Sequence, residues 1–434
     1  MVNTVAKYNR YAEYKDSGVE WLEEVPLEWN VIKIKHLSSV KRGASPRPID
    51  DLKYFDDNGE YAWVRIADVS ASDMYLVNTT QTMSALGSSL SVKLEPNELF
   101  LSIAGTVGKP CINKIKVCIH DGFVYFPDLK IPNKFLFYVF AGEQAYKGLG
   151  KMGTQLNLNT DTVGDIKVAL PKSIEDIQGI VDFLDHETAK IDSLIEKQQK
   201  LIELLQEKRQ AVISHAVTKG LNPDGPMKDS GVEWLGKIPK YWNLKKLKYL
   251  CKVTTGSKDT VNAVEDGQYP FFVRSQKIER INSIGADCEA VLTAGDGAGV
   301  GKVYHYYNGK FDFHQRVYML YEFGAVTGQF VYYYLSSNFY KVALEGNAKS
   351  TVDSLRLPQF LNFEFSVPTL EEQSLIVSFL DKEVAKIDSL VEKSEAVIQL
   401  MQERRTALIS AAVTGKIDVR NWQAPDEAVR VHTV

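Results

Sequence analysis

Two stretches of this 434-residue chain set glycines beside a basic side chain: Gly105-Thr-Val-Gly-Lys109, and Gly295-Asp-Gly-Ala-Gly-Val-Gly301 followed by Lys302. Loops of this kind let backbone approach phosphates closely while the lysine adds charge. Nucleotide hydrolysis is not expected of them. The second loop lacks GxGxxG spacing, and Val303 follows Lys302 where a P-loop needs Ser or Thr. No HExxH, nucleophile elbow, nuclease carboxylate cluster or Asn/Asp-Pro-Pro-Tyr methyltransferase motif occurs. His120 and His314 each stand alone, and Cys111, Cys118, Cys251 and Cys288 form no CxxC pair, so a metal site is not expected. Unpaired cysteines suit a reducing cytoplasm. The polar Met1–Arg10 start lacks an apolar signal core, and no run is long and apolar enough for a membrane span.

What remains is chemistry that binds rather than transforms. Arg, Asn and Gln have the donor and acceptor geometry to read base edges, and Lys, Ser and Thr suit phosphates. Lys41, Arg42, Ser45, Arg47, Arg65, Thr106, Lys109, Gln155 and Asn157 are the candidates in the first half of the chain. Thr255, Ser257, Lys258, Arg274, Gly299, Lys302, Arg316 and Lys349 are those in the second. A bland reading stands beside this one. Glycine loops between strands are commonly turns, Trp63 and Phe272 fit a core, and His120 and His314 fit satisfied structural histidines. The net charge of -4 also runs against a nucleic-acid partner. The charge is unevenly spread, however. Basic residues gather at Lys33, Lys35, Lys41, Arg42 and Arg47, and again at Lys237, Lys240, Lys245, Lys246, Lys248 and Lys252; local patches decide binding.

The elements that must position these residues are written twice. Lys15-Asp-Ser-Gly-Val-Glu-Trp-Leu22 recurs unchanged as Lys228–Leu235, each copy followed at equal spacing by a proline (Pro26, Pro239) and a tryptophan (Trp29, Trp242). Ile180–Thr218 aligns without gaps on Ile376–Thr414, with about 25 of about 39 positions identical. Between the shared pieces lie two diverged, glycine-rich segments, 30–170 and 243–367, whose alternating apolar runs predict mixed α/β folding. They keep faint correspondences: Val40–Gly43 with Val253–Gly256, Trp63-Val-Arg65 with Phe272-Val-Arg274, the two glycine loops, the two histidines, and Gly153-Thr-Gln155 with Ser350-Thr-Val352.

Each shared helix starts after a proline (Pro171, Pro368) with a capping pattern, Ser173-x-x-Asp176 and Thr369-x-x-Glu372, and ends near a glycine, Gly220 or Gly415. Residues spaced alternately four and three apart form a largely apolar seam, from Ile177 to Val212 and from Gln373 to Leu408. That is a coiled-coil period, and neither helix can bury its stripe alone. The predicted boundaries are 1–172 for the N-terminal segment and first globular domain, and 173–219 for the first helix. Residues 220–368 then hold the linker, repeated segment and second domain, and 369–434 the second helix and tail. The fold class expected is α+β: two related mixed α/β domains and a pair of long antiparallel coiled-coil helices with pseudo-two-fold symmetry. At 1.5 Å per residue the helices would make a rod roughly 60 Å long.

This layout resembles the specificity (S) subunit of type I restriction-modification systems over essentially the whole chain. The likeness is carried by Lys15–Trp29 with its copy, Trp63-Val-Arg-Ile-Ala-Asp68, Leu101-Ser-Ile-Ala-Gly-Thr106, Gln155-Leu-Asn-Leu-Asn159, and the helix endings Ala216-Val-Thr218 and Ala412-Val-Thr-Gly-Lys-Ile417. Val352-Asp-Ser-Leu355 departs from the pattern of the first half. The resemblance implies a non-catalytic, cytoplasmic DNA-binding subunit whose two target-recognition domains each read one half of a bipartite, asymmetric site. The helices would set the spacer. The implied partners are double-stranded DNA, two methyltransferase (M) subunits carrying S-adenosylmethionine for adenine N6 methylation, and a further pair of restriction (R) subunits using ATP and Mg. Trp21, Trp29, Trp234, Trp242, Arg209 and Arg405 are the residues expected to bind those subunits. Two alternatives stay open: a coiled-coil scaffold that binds only proteins, and the recognition part of a methyltransferase-only complex.

Overall fold

The computed structural model describes residues 8–147, 149, 158–343 and 355–424. The chain forms two compact units, one of residues 1–198 with 396–434 and the other of 199–395. Each unit is built on the same frame, and local chemistry explains why the frame residues recur.

In the first unit, strands Tyr14–Asp16 and Glu24–Pro26 make a hairpin. Asp16 Oδ1 accepts the Gly18 N–H at 2.9 Å, Ser17 Oγ accepts the Val19 N–H at 3.1 Å, and Gly18 takes a φ of +62°. The copy repeats each bond: Asp229 with Gly231 at 2.9 Å, Ser230 with Val232 at 3.1 Å, and Gly231 at +73°. Short polar side chains that bond their own backbone, next to a residue free to adopt positive φ, make this turn. The repeated Asp-Ser-Gly therefore has a structural cause.

A closing strand pair then bounds each globular segment. Asn30–Lys33 runs antiparallel to Lys167–Leu170, and Asn243–Lys246 to Glu364–Val367. The chain passes directly from the closing strand into a long helix, Ile174–Lys219 in one case and Leu370–Val413 in the other. Both capping serine/threonine residues work as expected. Ser173 Oγ accepts the Asp176 N–H at 3.0 Å and Thr369 Oγ1 accepts that of Glu372 at 3.3 Å. Both ends turn at glycine, Gly220 at φ +77° and Gly415 at +71°. A Cβ on Gly415 would lie 2.5 Å from Pro26 and 3.2 Å from Trp29, and one on Gly220 would lie 3.3 Å from Trp242. The repeated Pro-x-x-Trp is thus the seat for a helix end, and glycine is needed there for both backbone angle and space.

The predicted seam residues are all buried or half-buried, with exposed residues filling most positions between them. Within the first unit the start of the first helix packs beside the end of the second: Ile177, Val181, Leu184 and Ile191 share a core with Leu408, Ile409 and Ala412. The second unit joins the complementary halves, Ile213 and Val217 with Ile376, Leu380 and Val384. In both units the helices run antiparallel.

Each globular segment grips its long helix through a tyrosine. Tyr138, on the apolar helix Asn133–Ala141, donates its hydroxyl to Asp185 at 2.7 Å; Tyr333, on Gly328–Asn338, donates to Asp381 at 2.7 Å. Asp185 and Asp381 are the same position of the repeat.

The sheets differ between the halves. In the first, strands 41–42, 123–125, 99–102, 110–113 and 75–76 form one sheet, and 82–83, 61–64, 117–119 and 92–94 another. In the second, one strand, Tyr304–Phe313, takes the place of two. It pairs antiparallel with Ala286–Ala294 and, at its end, parallel with Tyr269–Phe272, so that one six-stranded sheet stands in place of the first half's five- and four-stranded sheets. One scaffold thus carries two differently continued surfaces.

Candidate nucleic-acid interface

In the first unit the candidate residues converge around a tight turn at His120–Gly122. Exposed strand Lys41–Arg42 pairs with Val124–Tyr125, and the chain next passes so close to the turn that a Cβ on Gly43 would lie 2.2 Å from the His120 carbonyl oxygen. Only glycine fits there. Beyond it, Ser45 Oγ donates to Asp121 Oδ1 at 3.1 Å and Arg47 Nη2 to Asp121 Oδ2 at 3.1 Å, while Arg42 Nε donates to the Asp121 carbonyl at 2.5 Å.

The His120 ring accepts the Gly122 N–H on Nδ1 at 2.8 Å and packs against Phe123 and Trp63, with centroids 4.5 and 5.8 Å away. Burial pulls its pKa below the ordinary histidine value, with Asp121 opposing. Ile103 N–H bonds the Gly122 carbonyl at 2.8 Å, which carries the surface on to the glycine loop. There Thr106 Oγ1 and Ser70 Oγ share a 2.5 Å hydrogen bond, and Lys109 Nζ donates to the Ser70 carbonyl at 2.8 Å. Arg65, at the start of helix Ile66–Ala71, gives its backbone N–H to Asp68 at 2.8 Å and its guanidinium to Gln81.

The second unit builds the corresponding surface from different side chains. A Cβ on Gly256 would lie 1.9 Å from the Phe313 carbonyl, as Gly43 lies against its own turn. His314 accepts the Arg316 N–H on Nδ1 at 2.9 Å, the bond His120 makes to Gly122. Its ring is only 2% exposed, and burial lowers its pKa. Gln315 then stands where the first unit has Asp121. It donates to Asp259 at 2.8 Å, and its backbone N–H bonds the Lys258 carbonyl at 2.8 Å. The side chain at the turn accepts hydrogen bonds in the first unit and donates one in the second. Arg274 Nη1 donates to Asp296 Oδ1 at 2.8 Å, and Arg316 Nη1 bonds the other oxygen of the same carboxylate. Burial alone would raise the Asp296 pKa, but the bonds from Arg316 and Arg274 outweigh it and hold the carboxyl below its usual range.

Most candidates therefore fall on two comparable surfaces. Lys41, Arg42, Arg47, Arg65, Thr106, Thr255, Ser257, Arg274, Lys302 and Arg316 are exposed, and Ser45, Lys109 and Lys258 half-exposed. Gly299 has a different place. It is buried, and a Cβ there would lie 2.4 Å from the Arg274 carbonyl, so it supports the arginine from behind. Gln155, Asn157 and Lys349 lie outside the described residues, as do Gly153-Thr-Gln155 and Ser350–Ser354.

Of the residues expected at subunit contacts, Trp21, Trp29 and Trp242 sit in the hydrophobic cores, with exposures of 8%, 2% and 2%. Trp234 is half-exposed and stacks on Phe363. Arg209 and Arg405 are occupied by ion pairs with Asp388 and Asp192. Lys33 and Lys35, from the first basic cluster, both hold Asp165, and their bonds lower its carboxyl to about 2.

Sequence reasoning missed the acidic partners Asp121, Asp259 and Asp296. Of these only Asp296 had a visible signal, its place inside the glycine loop. Among the described residues no His/Cys/Asp/Glu group could hold a metal ion, and no helix is long and apolar enough to cross a membrane.

Residues 26–205 and 239–399 match the type I restriction modification DNA specificity domain. The chain is 33% identical over 189 residues to the type I restriction enzyme EcoDI specificity subunit of Escherichia coli, covering 44% of this chain and 41% of that one. That match spans less than half of the relative's length. The MjaVIII specificity subunit of Methanocaldococcus jannaschii is 23% identical over 440 residues, 94% of this chain and 98% of its own. Among solved structures, a chain from work on complex assembly and conformational transition of the type I R-M system shares the fold. Its TM-score is 0.68 at 16% identity, over 90% of this chain and 98% of that one.

Proposed function

The chain belongs to the type I restriction-modification DNA specificity family, and from that premise we propose that it reads a bipartite, asymmetric DNA site for partner subunits in the cytoplasm. Each globular segment reads one half-site through its histidine-anchored surface, and the two long helices set the unread gap. Two M subunits dock on the repeated frame and supply S-adenosylmethionine and adenine N6 methylation. R subunits, with ATP and Mg, add cleavage. This chain's own residues bind and orient DNA.

The observation that carries this reading is the doubling with divergence. Two turns, at His120 and His314, make the same ring-to-backbone bond, yet present Asp121 with Arg42 and Arg47 in one case and Gln315 with Asp259 in the other. A shared scaffold with different donors and acceptors at its tip is what two different half-sites require. Lys41, Arg42, Arg47, Arg65, Lys109, Lys258, Arg274, Lys302 and Arg316 are the proposed contacts, with Ser45, Thr106, Thr255 and Ser257 beside them.

The test is an exchange of residues 30–170 for the corresponding segment of another family member, followed by methylome sequencing of the host. One half of the methylated motif should change while the other half persists. If both halves change together, the assignment of one domain to one half-site is wrong.

A further inference from the structure

The glycine-rich stretch Gly295–Gly301 has the composition of a phosphate loop without its spacing, and the structure gives it a different task. Its main chain is fastened to two arginines. The Gly295 N–H bonds the Arg316 carbonyl at 2.8 Å, and Gly299 lies so close to the Arg274 carbonyl that a Cβ would come within 2.4 Å of it. Gly297 turns the loop at φ +75°. Between these glycines stands Asp296, whose two carboxylate oxygens receive the Nη1 groups of Arg274 and Arg316. The carboxylate is 15% exposed, whereas the Arg274 and Arg316 side chains are 42% and 61% exposed. The acid lies behind and the guanidiniums in front. From the other side, His314 fixes the Arg316 backbone through its Nδ1.

The geometry points to Asp296 as a positioning and specificity-determining residue: it clamps Arg274 and Arg316 as a fixed guanidinium pair that reads acceptors on a base edge, such as O6 and N7 of guanine. This rests on the proposal that the second globular segment reads DNA. Electrostatics separate base reading from phosphate binding. A phosphate site gains from every uncompensated positive charge, and a carboxylate between two arginines cancels one of them. What the carboxylate supplies is orientation, which matters where planar, bidentate geometry is read. Both bonds to Asp296 use Nη1, so neither takes the Nε–Nη2 edge, the fork that pairs with two acceptors at once.

The test selects bound sequences from a random-sequence duplex DNA pool, using the full chain assembled with its M subunits, for wild type, Asp296→Asn and Arg316→Lys. The wild type should enrich a two-part motif. Asp296→Asn should keep the first part intact, which also reports that the protein is folded. Discrimination at one or two positions of the second part should fall on the order of tenfold, with binding to unrelated DNA unchanged or stronger.

An unchanged second half-site in Asp296→Asn overturns the clamp while leaving the DNA reading in place. Uniform weakening on all sequences, with the motif intact, also overturns it, because that is the signature of a phosphate or folding role. Should Asp296→Asn not fold, Arg316→Lys, which keeps the charge and loses the fork, must relax the same half-site. A motif identical to wild type then counts against the clamp. A wild-type complex that enriches nothing overturns both the clamp and the reading beneath it.

Discussion

Arg405, on the second long helix, donates from Nε to Asp192 Oδ1 of the first at 2.8 Å and from Nη2 to Oδ2 at 3.2 Å. Arg209 and Asp388 make the same Nε bond, also at 2.8 Å. These four residues are two positions of the repeat, each used once on each helix. Made once in each unit by repeat-equivalent positions, the bond fits helices that run antiparallel in both. It also gives both arginines an internal partner, where the sequence alone pointed them at another subunit.

These pairs are partly exposed, so each is worth about 0.2–1 kcal/mol. Arg405→Ala should lower the melting temperature slightly more than Arg209→Ala, because Arg405 makes two bonds. Asp192→Arg should destabilise by placing two arginines face to face, and adding Arg405→Asp should restore most of the loss. Thermal melts of the four variants check this. If Arg405→Ala left the melting temperature alone but abolished co-purification with M subunits, the residue would face a partner after all.

The two tip histidines predict a pH dependence. His120 and His314 both accept a backbone N–H on Nδ1, and burial lowers both pKa values below the ordinary 6.5; His305 is lowered for the same reason. Between about pH 6.5 and those lower folded values, the unfolded chain holds more protons than the folded one. Stability is therefore full above about pH 6.5 and is lost as pH falls below it, by at most about 1.4 kcal/mol per pH unit for each histidine. Melting temperatures between pH 7.5 and 5.5 should show this slope. His314→Gln should start lower and fall less steeply. Parallel curves for the variant and wild type would assign the slope to other groups.

Features coded by spacing were legible in the sequence. The Ser173 and Thr369 caps, the Gly220 and Gly415 ends and the four-three seam all depend on residues close in the chain, and each appears where the spacing placed it. Features that depend on long-range encounter were not. Asp185 looked like one more polar residue in a shared helix, because its partner Tyr138 lies in a diverged segment. The seat that Trp29 and Trp242 make for a helix end was not visible in the spacing, because the glycine packed against each lies at the end of a long helix. Asp296 was hidden by its own loop, where the glycines suggested a ligand and the arginines they serve were 22 and 20 residues away.

The lysines at the two surfaces should behave as phosphate contacts, since Lys carries a point charge without the planar fork of arginine. Lys41→Ala, Lys258→Ala and Lys302→Ala should each weaken binding to every sequence and lower the salt slope by about one, with the motif unchanged. Binding isotherms across a salt series, on specific and unrelated duplexes, separate this from base reading. A variant that relaxes one motif position at constant slope would have to be reassigned to a base, and one that changes nothing would leave the interface.

The long helices supply the last prediction, which concerns the gap between half-sites. The seam runs through Ile195 and Val391, both half-buried, and each helix continues from one compact unit into the other. Seven residues inserted beside Ile195 and seven beside Val391 lengthen both helices equally and keep the four-three spacing intact, so the seam stays in register. The insertion lengthens the helical pair by about 10 Å, close to three base pairs at roughly 3.4 Å each. It also rotates the second half-site by nearly a third of a turn relative to the first, so affinity should fall while the preferred spacer grows. The half-site sequences should stay as they were, because neither tip surface is touched. Selection from a DNA pool with randomised spacer length reads both quantities at once. A spacer that stays the same while binding persists would mean that something other than these helices measures the DNA.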